Sequence, residues 1–251
     1  TAQSLSGASI VPDAAPERPM AMAMRQMVHE LRSPLNAING FAQLIDGQYF
    51  GPVSHRYREL ARAIIADAGM LAGTFEDIDI AARLDLGSIA HSGSGSDLGE
   101  AIDHALTELE AMFIAQRASL KLLGTIDGHP IALAQADARR LVLRFIGAVA
   151  ASAQAGEELE CHVEQHPQAG FVRLRLQRPR AIRGMSEAAL ADYDGGELLE
   201  GKVTALGLGF ALTLATQLAA AHGGQLVVEP DQCILNLPIL YGAQDRSGAI
   251  G

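Results

Sequence analysis

Aromatic side chains and concentrated basic charge are both scarce in this chain. Only 4% of its 251 residues are aromatic although 49% are hydrophobic, so the core must be built mostly from Ala, Leu, Ile and Val. This composition favours helices that pack closely over small residues. The formal net charge is −10 and the basic residues form no long run, which argues against a nucleic-acid partner because phosphate binding needs a concentrated basic face.

Cysteine is scarce as well. The spacing of Cys161 and Cys233, the two cysteines of the chain, suggests neither a metal site nor a disulfide framework, so a reducing cytoplasm is the simplest location. No signal peptide is visible at Thr1. The segment 203–221 is nearly uncharged and almost long enough to span a membrane, but glycines, threonines and Gln217 interrupt it. We therefore expect a buried helix there, and no membrane span in this chain.

Two periodic helices are predicted in the first third of the chain. The first carries hydrophobic residues spaced alternately by four and three positions, which is the heptad pattern of paired helices: Met24, Val28, Leu31, Leu35, Ile38, Ala42 and Ile45. A second helix is predicted from about Ser54 to Leu84, with a stripe of its own: Leu60, Ile64, Leu71, Phe75, Ile78 and Ala82. One such hairpin cannot bury its seam alone, so the pattern predicts a homodimer built on a four-helix bundle.

The remainder of the chain alternates between helix and strand patterns. Helices are predicted at 97–116, with Asp97 as N-cap, at 137–153 and at 208–222. Strands are predicted at 119–126, 159–163, 171–176, 225–228 and 233–237. The fold class is therefore α+β, a helical hairpin followed by an α/β sandwich. The predicted domains are a linker (1–18), the hairpin (19–86), a Gly/Ser-rich linker (87–96), the sandwich (97–241) and a tail (242–251).

A group of polar residues lies beside the heptad seam. With Val28 and Leu31 facing inward, His29 projects from the flank of the first helix, where a partner can reach it. A neutral imidazole can attack phosphorus with one nitrogen while the other keeps a proton, and Glu30 can orient or accept that proton. Ser33, one turn further along, can position a water against a phosphoryl group.

The stretch HELRSPLNAINGFAQLI, which begins at His29, resembles the H-box of the histidine kinase family. In that family His-Glu-x-x-(Ser/Thr/Asn)-Pro-Leu opens the dimerisation and phosphotransfer hairpin, and residues 78–85 also resemble the way these hairpins end. The resemblance implies that His29 is the phosphoacceptor, with an ordinary solvated helix histidine as the alternative. No metal site is predicted, because the remaining histidines share no ligand spacing.

The same resemblance implies an ATP-binding domain of the Bergerat, or GHKL, type at 97–241. Residues 137–141 resemble the lead-in to the family's N-box helix. The stretch GLGFAL from Gly207, followed by His-Gly-Gly at 222–224, resembles its later glycine box and the strand after it. Gly207 and Gly209 are therefore the candidate remnant of a nucleotide-binding turn, because Gly-x-Gly before a helix can present backbone N–H groups to phosphate.

The residues that would hold the nucleotide are missing from these boxes. The N-box asparagine positions, which help to bind Mg²⁺ in the family, fall on Gly147 and Ala151. No Asp follows the strand that ends near Leu176, where the family's Asp-x-Gly-x-Gly box hydrogen-bonds adenine. A buried hydrogen bond to a charged partner contributes ~1.5–3 kcal/mol, so we expect ATP and Mg²⁺ not to be tightly bound. The alternative is a substitute among the acids of the lid region: Asp192, Asp194, Glu197 and Glu200.

These features predict a signalling protein of a bacterial two-component phosphorelay, cytoplasmic and part of a longer sensor. His29 would exchange a phosphoryl group with the Asp of a response-regulator receiver domain, as phosphotransferase or phosphatase, and the receiver would bring its own Mg²⁺. Candidate receiver contacts are Arg32, Asn36 and Asn39, on successive turns. Two alternatives stay open: an active ATP-dependent kinase that autophosphorylates His29, and a non-catalytic regulatory scaffold.

Overall fold

A computed structural model describes residues 17–87, 95–125, 128–165, 170–193 and 206–240. The chain begins with a helical hairpin, in which α1 (Glu17–Asp46) and α2 (His55–Asp85) pack against each other. Helix α1 continues through Pro34, although this residue has no backbone N–H to donate to the carbonyl of Glu30. The two predicted helices are confirmed, and α1 begins inside the segment assigned to the N-terminal linker.

The heptad pattern of α1 separates into two stripes. One stripe is buried between α1 and α2, and its members are no more than 7% exposed: Ala21, Val28, Leu35 and Ala42. The other stripe remains 41–52% exposed: Met24, Leu31, Ile38 and Ile45. Helix α2 also exposes Leu60, Ile64 and Leu71 by 43–54%. In the single chain Val28 is buried and Leu31 is exposed, so the predicted inward position of Leu31 requires a second hairpin and stays a prediction.

The second part of the chain is a five-stranded sheet with helices packed on it. Its strands lie in the order β2 (Ser119–Gly124), β4 (Glu158–Gln165), β5 (Phe171–Gln177), β7 (Gln232–Pro238) and β6 (Gln225–Val228). Strands β2 and β4 are parallel and the other neighbours are antiparallel. A separate antiparallel pair joins β1 (Ser96–Asp97) to β3 (Pro130–Ile131).

The helices of this domain are α3 (Leu98–Gln116), α4 (Gln135–Ala150), α5 (Glu187–Ala191) and α6 (Gly207–Ala221), with a 3-10 turn at Arg180–Ile182. The side chains of β5 alternate between buried and half-buried, and the buried ones join the helices in one core. The α+β class and the α/β sandwich are confirmed. The short elements β1, β3, α5 and the 3-10 turn carry too few residues for a periodic signal.

Local signals set several boundaries where they were predicted. The Asp97 carboxylate accepts hydrogen bonds from the backbone N–H groups of Gly99 (2.8 Å) and Glu100 (3.3 Å), which makes it the N-cap of α3. Helix α4 ends at Ala150 rather than near 153. The linker at 88–94, the start of the chain through residue 16 and the tail from 241 lie outside the described residues.

Helix α6 belongs to the core of the second domain. Its buried residues include Leu208, Leu214, Leu218 and Ala219, and they pack with α4 and the sheet. The polar interruptions of this segment thus accompany a buried helix, as predicted. Among the described residues, no helix combines the length and the apolar character needed to cross a membrane.

Candidate functional site

His29 lies on the exposed surface of α1, beside the buried Val28. The Glu30 side chain is also exposed, and its Oε1 accepts a hydrogen bond of 3.0 Å from Nε2 of Gln26, one turn earlier. Ser33 is exposed one turn after His29, so the hydroxyl and the imidazole share one side of the helix. This arrangement offers a reachable ring nitrogen, a carboxylate and a hydroxyl within two turns.

The three candidate receiver contacts differ in their surroundings. Arg32 is exposed and lines a polar cleft between the hairpin and the second domain. Asn36 is exposed, while Asn39 is half-buried and its Oδ1 accepts a hydrogen bond of 3.4 Å from Nε2 of Gln43. These side chains follow one another along α1 without contacting one another directly in the described hydrogen bonds, which fits a row of contacts better than a compact site.

The second domain is fixed to the hairpin at the level of His29. Nε of Arg144 on α4 lies 2.8 Å from Oδ1 of Asp77 on α2, and the two side chains are 11% and 4% exposed. Nη2 of Arg144 also donates to the backbone carbonyl of Gly73 at 3.2 Å. Ile80 of α2 packs into the core of the second domain. We call these contacts the interdomain clamp.

The clamp predicts a dependence of stability on pH. Burial, which outweighs the opposing effect of Arg144, raises the pKa of Asp77 from 3.8 to about 6; Glu76 adds a smaller upward contribution and Arg140 a smaller downward one. A carboxyl whose pKa is higher in the folded state binds its proton more tightly there, so protonation stabilises the fold. This stabilisation is complete below the unfolded-state pKa and is lost as the pH rises through the folded-state pKa. We expect the free energy of unfolding to rise by about 1 kcal/mol between pH 7.5 and pH 5, relative to Asp77→Asn.

Urea unfolding of wild type and Asp77→Asn at several pH values measures this effect. The variant cannot titrate at position 77, so the difference between the two curves isolates this carboxyl from the other acids. Parallel curves over this range would contradict the assigned burial of a charged Asp77.

The positions that match the family's nucleotide motifs offer no oxygen ligand. Gly147 has no side chain and is buried in α4, and Ala151 follows α4 with a methyl group. Among the described residues, no group of His, Cys, Asp and Glu side chains is arranged to hold a metal ion. Gly147 and Ala151 therefore do not fit a Mg²⁺–nucleotide, because Mg²⁺ takes oxygen ligands.

Arg178 stands where the strand β5 leads into the loop after it. It continues the alternation of Val172, Leu174 and Leu176, the buried face of β5, and is 0% exposed. Its guanidinium donates to three backbone carbonyls, those of Met185 (3.0 Å), Glu229 (2.9 Å) and Ile182. A buried cation thus stands just after β5, in the stretch that the family resemblance assigns to the adenine-binding box.

The buried acid of this part of the domain is already engaged. Glu157 is 6% exposed, and its two oxygens accept the backbone N–H groups of Arg180 (2.8 Å) and Gln154 (3.0 Å). Asp192 is exposed at the end of α5. The other acids proposed as substitutes, Asp194, Glu197 and Glu200, lie outside the described residues.

The glycine box is explained by backbone requirements. Gly207 begins α6 with φ +81°, a left-handed conformation that favours glycine. A Cβ at Gly209 would lie 2.5 Å from the Cα and the carbonyl oxygen of Ala191. Close packing of α6 against α5 therefore accounts for Gly209 without a bound phosphate.

Several contributors to these sites were not singled out from the sequence. Gln26 could have been found from its spacing of four residues to Glu30, and Arg178 from the period-two pattern of β5. The pairing of Asp77 with Arg144 joins positions 67 residues apart, and no local pattern indicates it.

Comparisons with known proteins agree with this architecture. Residues 20–87 match the family described as the His Kinase A (phospho-acceptor) domain. The chain is 28% identical over 223 residues to histidine protein kinase DivJ of Caulobacter vibrioides, an alignment that covers 83% of this chain and 35% of DivJ. Cell-division control histidine kinase PdhS of Brucella canis is 26% identical over 99 residues, which cover 39% of this chain and 10% of PdhS.

Solved structures show the same fold. ShkA, crystallised at full length in complex with AMPPNP, aligns with a TM-score of 0.63 and 17% identity over 88% of this chain and 47% of its own. AdeS of Acinetobacter baumannii aligns with a TM-score of 0.54 and 15% identity over 85% of this chain and 98% of its own. The chain thus spans about a third of DivJ and about half of the ShkA chain.

Proposed function

Because the chain belongs to the two-component sensor histidine kinase family, we propose that His29 exchanges a phosphoryl group with the aspartate of a response-regulator receiver domain, without ATP. One combination carries the proposal. His29 is exposed, with Glu30 and Ser33 nearby. In the second domain, the positions that the resemblance assigns to nucleotide binding hold Gly147 and Ala151, and the buried Arg178 lies just after β5. These features support transfer from a partner's phosphoaspartate over charging of His29 from ATP.

The transfer needs little from the protein beyond position. A ring nitrogen of His29 attacks the phosphorus of the receiver's phosphoaspartate, the P–N bond forms, and the P–O bond to the aspartate breaks with its electron pair on the leaving carboxylate. The other ring nitrogen keeps or releases its proton, and Glu30, held by Gln26, can accept it. When a water placed by Ser33 attacks phosphorus instead, phosphate is released, and the protein acts as a phosphatase.

The direct test supplies two phosphoryl donors separately. Receiver domains from the source bacterium are phosphorylated with labelled acetyl phosphate, purified and mixed one by one with the full chain, and a parallel sample receives labelled ATP and Mg²⁺. We expect label on the chain, or release of phosphate, with at least one receiver and none with ATP. Labelling by ATP would favour the active-kinase alternative, whereas silence in both arms would favour the scaffold.

The exposed stripes of the hairpin support a homodimer. Ile38 is 52% exposed in the single chain and lies in the stripe that α2 leaves uncovered. In a twofold bundle two glutamates at this position would face a dry seam, and burying unpaired charge is costly. We expect Ile38→Glu to raise the dissociation constant of the dimer by at least about a hundredfold.

Light scattering on a sizing column measures this change. Ala66→Glu is the matched control, because Ala66 is exposed on α2 and helical periodicity places it opposite Leu60, Ile64 and Leu71. A monomeric wild type at micromolar concentration, or an unchanged Ile38→Glu dimer, would contradict the predicted seam.

A further inference from the structure

Methionine is concentrated at the start of α1. Of the seven methionines in the chain, four lie within residues 20–27 and are 41–65% exposed: Met20, Met22, Met24 and Met27. The other three are half-buried or buried, and Met112 is only 5% exposed. The thioethers that solvent reaches most easily are therefore gathered in the helical turns just before His29.

Three of these four methionines continue the exposed stripe of α1. At 100° per residue, one arc of about 60° holds them together with the aliphatic members of the stripe: Met20, Met24, Met27, Leu31, Ile38 and Ile45. Met22 lies on the opposite side of the helix, seven residues before His29 and on the same side as it. The stripe is thus built of thioethers before Leu31 and of branched aliphatic side chains after it.

We propose that Met20, Met24 and Met27 form a peroxide-sensitive switch, in which their oxidation to the sulfoxide opens the pairing of α1 with a second copy of the chain. The proposal rests on the homodimer proposed above and not on phosphoryl transfer. Continuity supports the second copy as the occupant, because the thioethers extend the same stripe that α2 leaves uncovered. A dry seam accepts the flexible, apolar thioether, whereas a sulfoxide is polar and would lack hydrogen-bond partners there.

Hydrogen peroxide is the oxidant that the step requires. A lone pair on sulfur attacks one peroxide oxygen, the S–O bond forms, and the O–O bond breaks as hydroxide leaves. The hydroxide takes the proton from the oxygen now bound to sulfur, so the products are the sulfoxide and water. Sulfur is oxidised and the peroxide is reduced. Methionine sulfoxide reductases restore the thioether, which makes the switch reversible.

Oxidation acts on the monomer rather than on the closed dimer. In the single chain Met24 is 41% exposed and Met27 is 61% exposed, so peroxide reaches both sulfurs, whereas the paired seam shields them. Each oxidised chain is lost from the population that can pair, and the dimer dissociates further by mass action. Met22 stays in solvent in both states, so it reports the reactivity of an exposed thioether on the same helix.

Peroxide treatment followed by light scattering on a sizing column tests the switch. We expect oxidation to raise the dissociation constant of the wild-type dimer at least about tenfold. The combined variant Met20→Leu, Met24→Leu and Met27→Leu keeps an apolar stripe without sulfur, so its dissociation constant should not respond to peroxide. The corresponding triple change to Gln imitates the sulfoxide and should weaken the dimer without peroxide. Met22→Gln is the matched control and should have no effect, since Met, Leu and Gln have similar helix propensities.

Tandem mass spectrometry gives a second measurement on the wild-type chain. Oxidation of Met24 should slow as the protein concentration rises above the dissociation constant, while oxidation of Met22 keeps its rate and the buried Met112 stays reduced. An unchanged dissociation constant after full oxidation of Met24 overturns the inference, as does equal weakening of the triple leucine variant or a monomeric wild type. A dimer that responds as expected, but exchanges no phosphoryl group with any receiver, keeps the switch and rejects the proposed function.

Discussion

His29→Gln should abolish phosphoryl transfer from a phosphorylated receiver to the chain. The glutamine amide nitrogen has a lone pair that is delocalised into the carbonyl, so it cannot attack phosphorus as a ring nitrogen does. Because His29 lies on the exposed side of α1, the change should leave the fold intact. We expect the label on the chain to fall at least about a thousandfold, to the background of the assay.

The chemical character of the product gives an independent reading. A phosphorus–nitrogen bond is labile in acid and stable in base, so label on His29 should be lost after brief acid treatment. His55→Gln is the matched control, since His55 is an exposed histidine on the same hairpin, with a side chain 77% exposed. Full labelling of His29→Gln would move the acceptor to another residue and overturn the assignment.

Arg178→Met should destabilise the second domain by roughly 3 kcal/mol. The substitution keeps much of the buried volume but removes the donors to the carbonyls of Met185, Glu229 and Ile182. Each buried carbonyl left without a donor destabilises the fold by about 1–3 kcal/mol. Removing the buried cation offsets part of this loss, because burying a charge is itself unfavourable. Nε of Arg178 has no acceptor within the described residues, so the substitution also removes one unsatisfied buried donor.

Urea unfolding of Arg178→Met measures the loss, and Arg180→Met in the same loop is the control because its side chain is exposed. Should Arg178→Met fail to fold, Arg178→Lys can be measured instead. It keeps the charge, and its unfolding midpoint should lie between those of wild type and Arg178→Met. Arg178→Ala should regain stability in the presence of about 10 mM guanidinium, which fits the vacated place. Equal midpoints for Arg178→Met and Arg180→Met would show that the buried guanidinium contributes nothing.

Much of the fold follows from local patterns. The two hairpin helices, the Asp97 cap, helices α3, α4 and α6 and five of the strands come from periodicity and capping, which depend on neighbours in the chain. The exposed position of His29 follows in the same way, because Val28 fixes the buried side of α1. The family resemblance added what local physics does not, namely the chemistry expected of that histidine.

The contacts that make a site from these elements were not predictable in this way. In the sequence, Asp77 and Arg144 look like ordinary charged residues on helices, and only the contact between the two domains pairs them. The cleft between the hairpin and the second domain likewise depends on that contact. Arg178 is different, since its place in the alternation of β5 was visible in the sequence. Its burial was not predicted because arginine is normally exposed. The three backbone carbonyls that accept from its guanidinium make the burial possible.

The clamp has a mechanical consequence for signalling. Helix α2 has 31 residues, about 46 Å of continuous rod at 1.5 Å per residue. The second domain grips the C-terminal half of this rod at Gly73, Asp77 and Ile80. A rotation of α2 within a bundle would therefore move the second domain, and with it Arg140, relative to His29 on α1. In such an arrangement α2 transmits the rotation, and the second domain carries it to the surface beside His29.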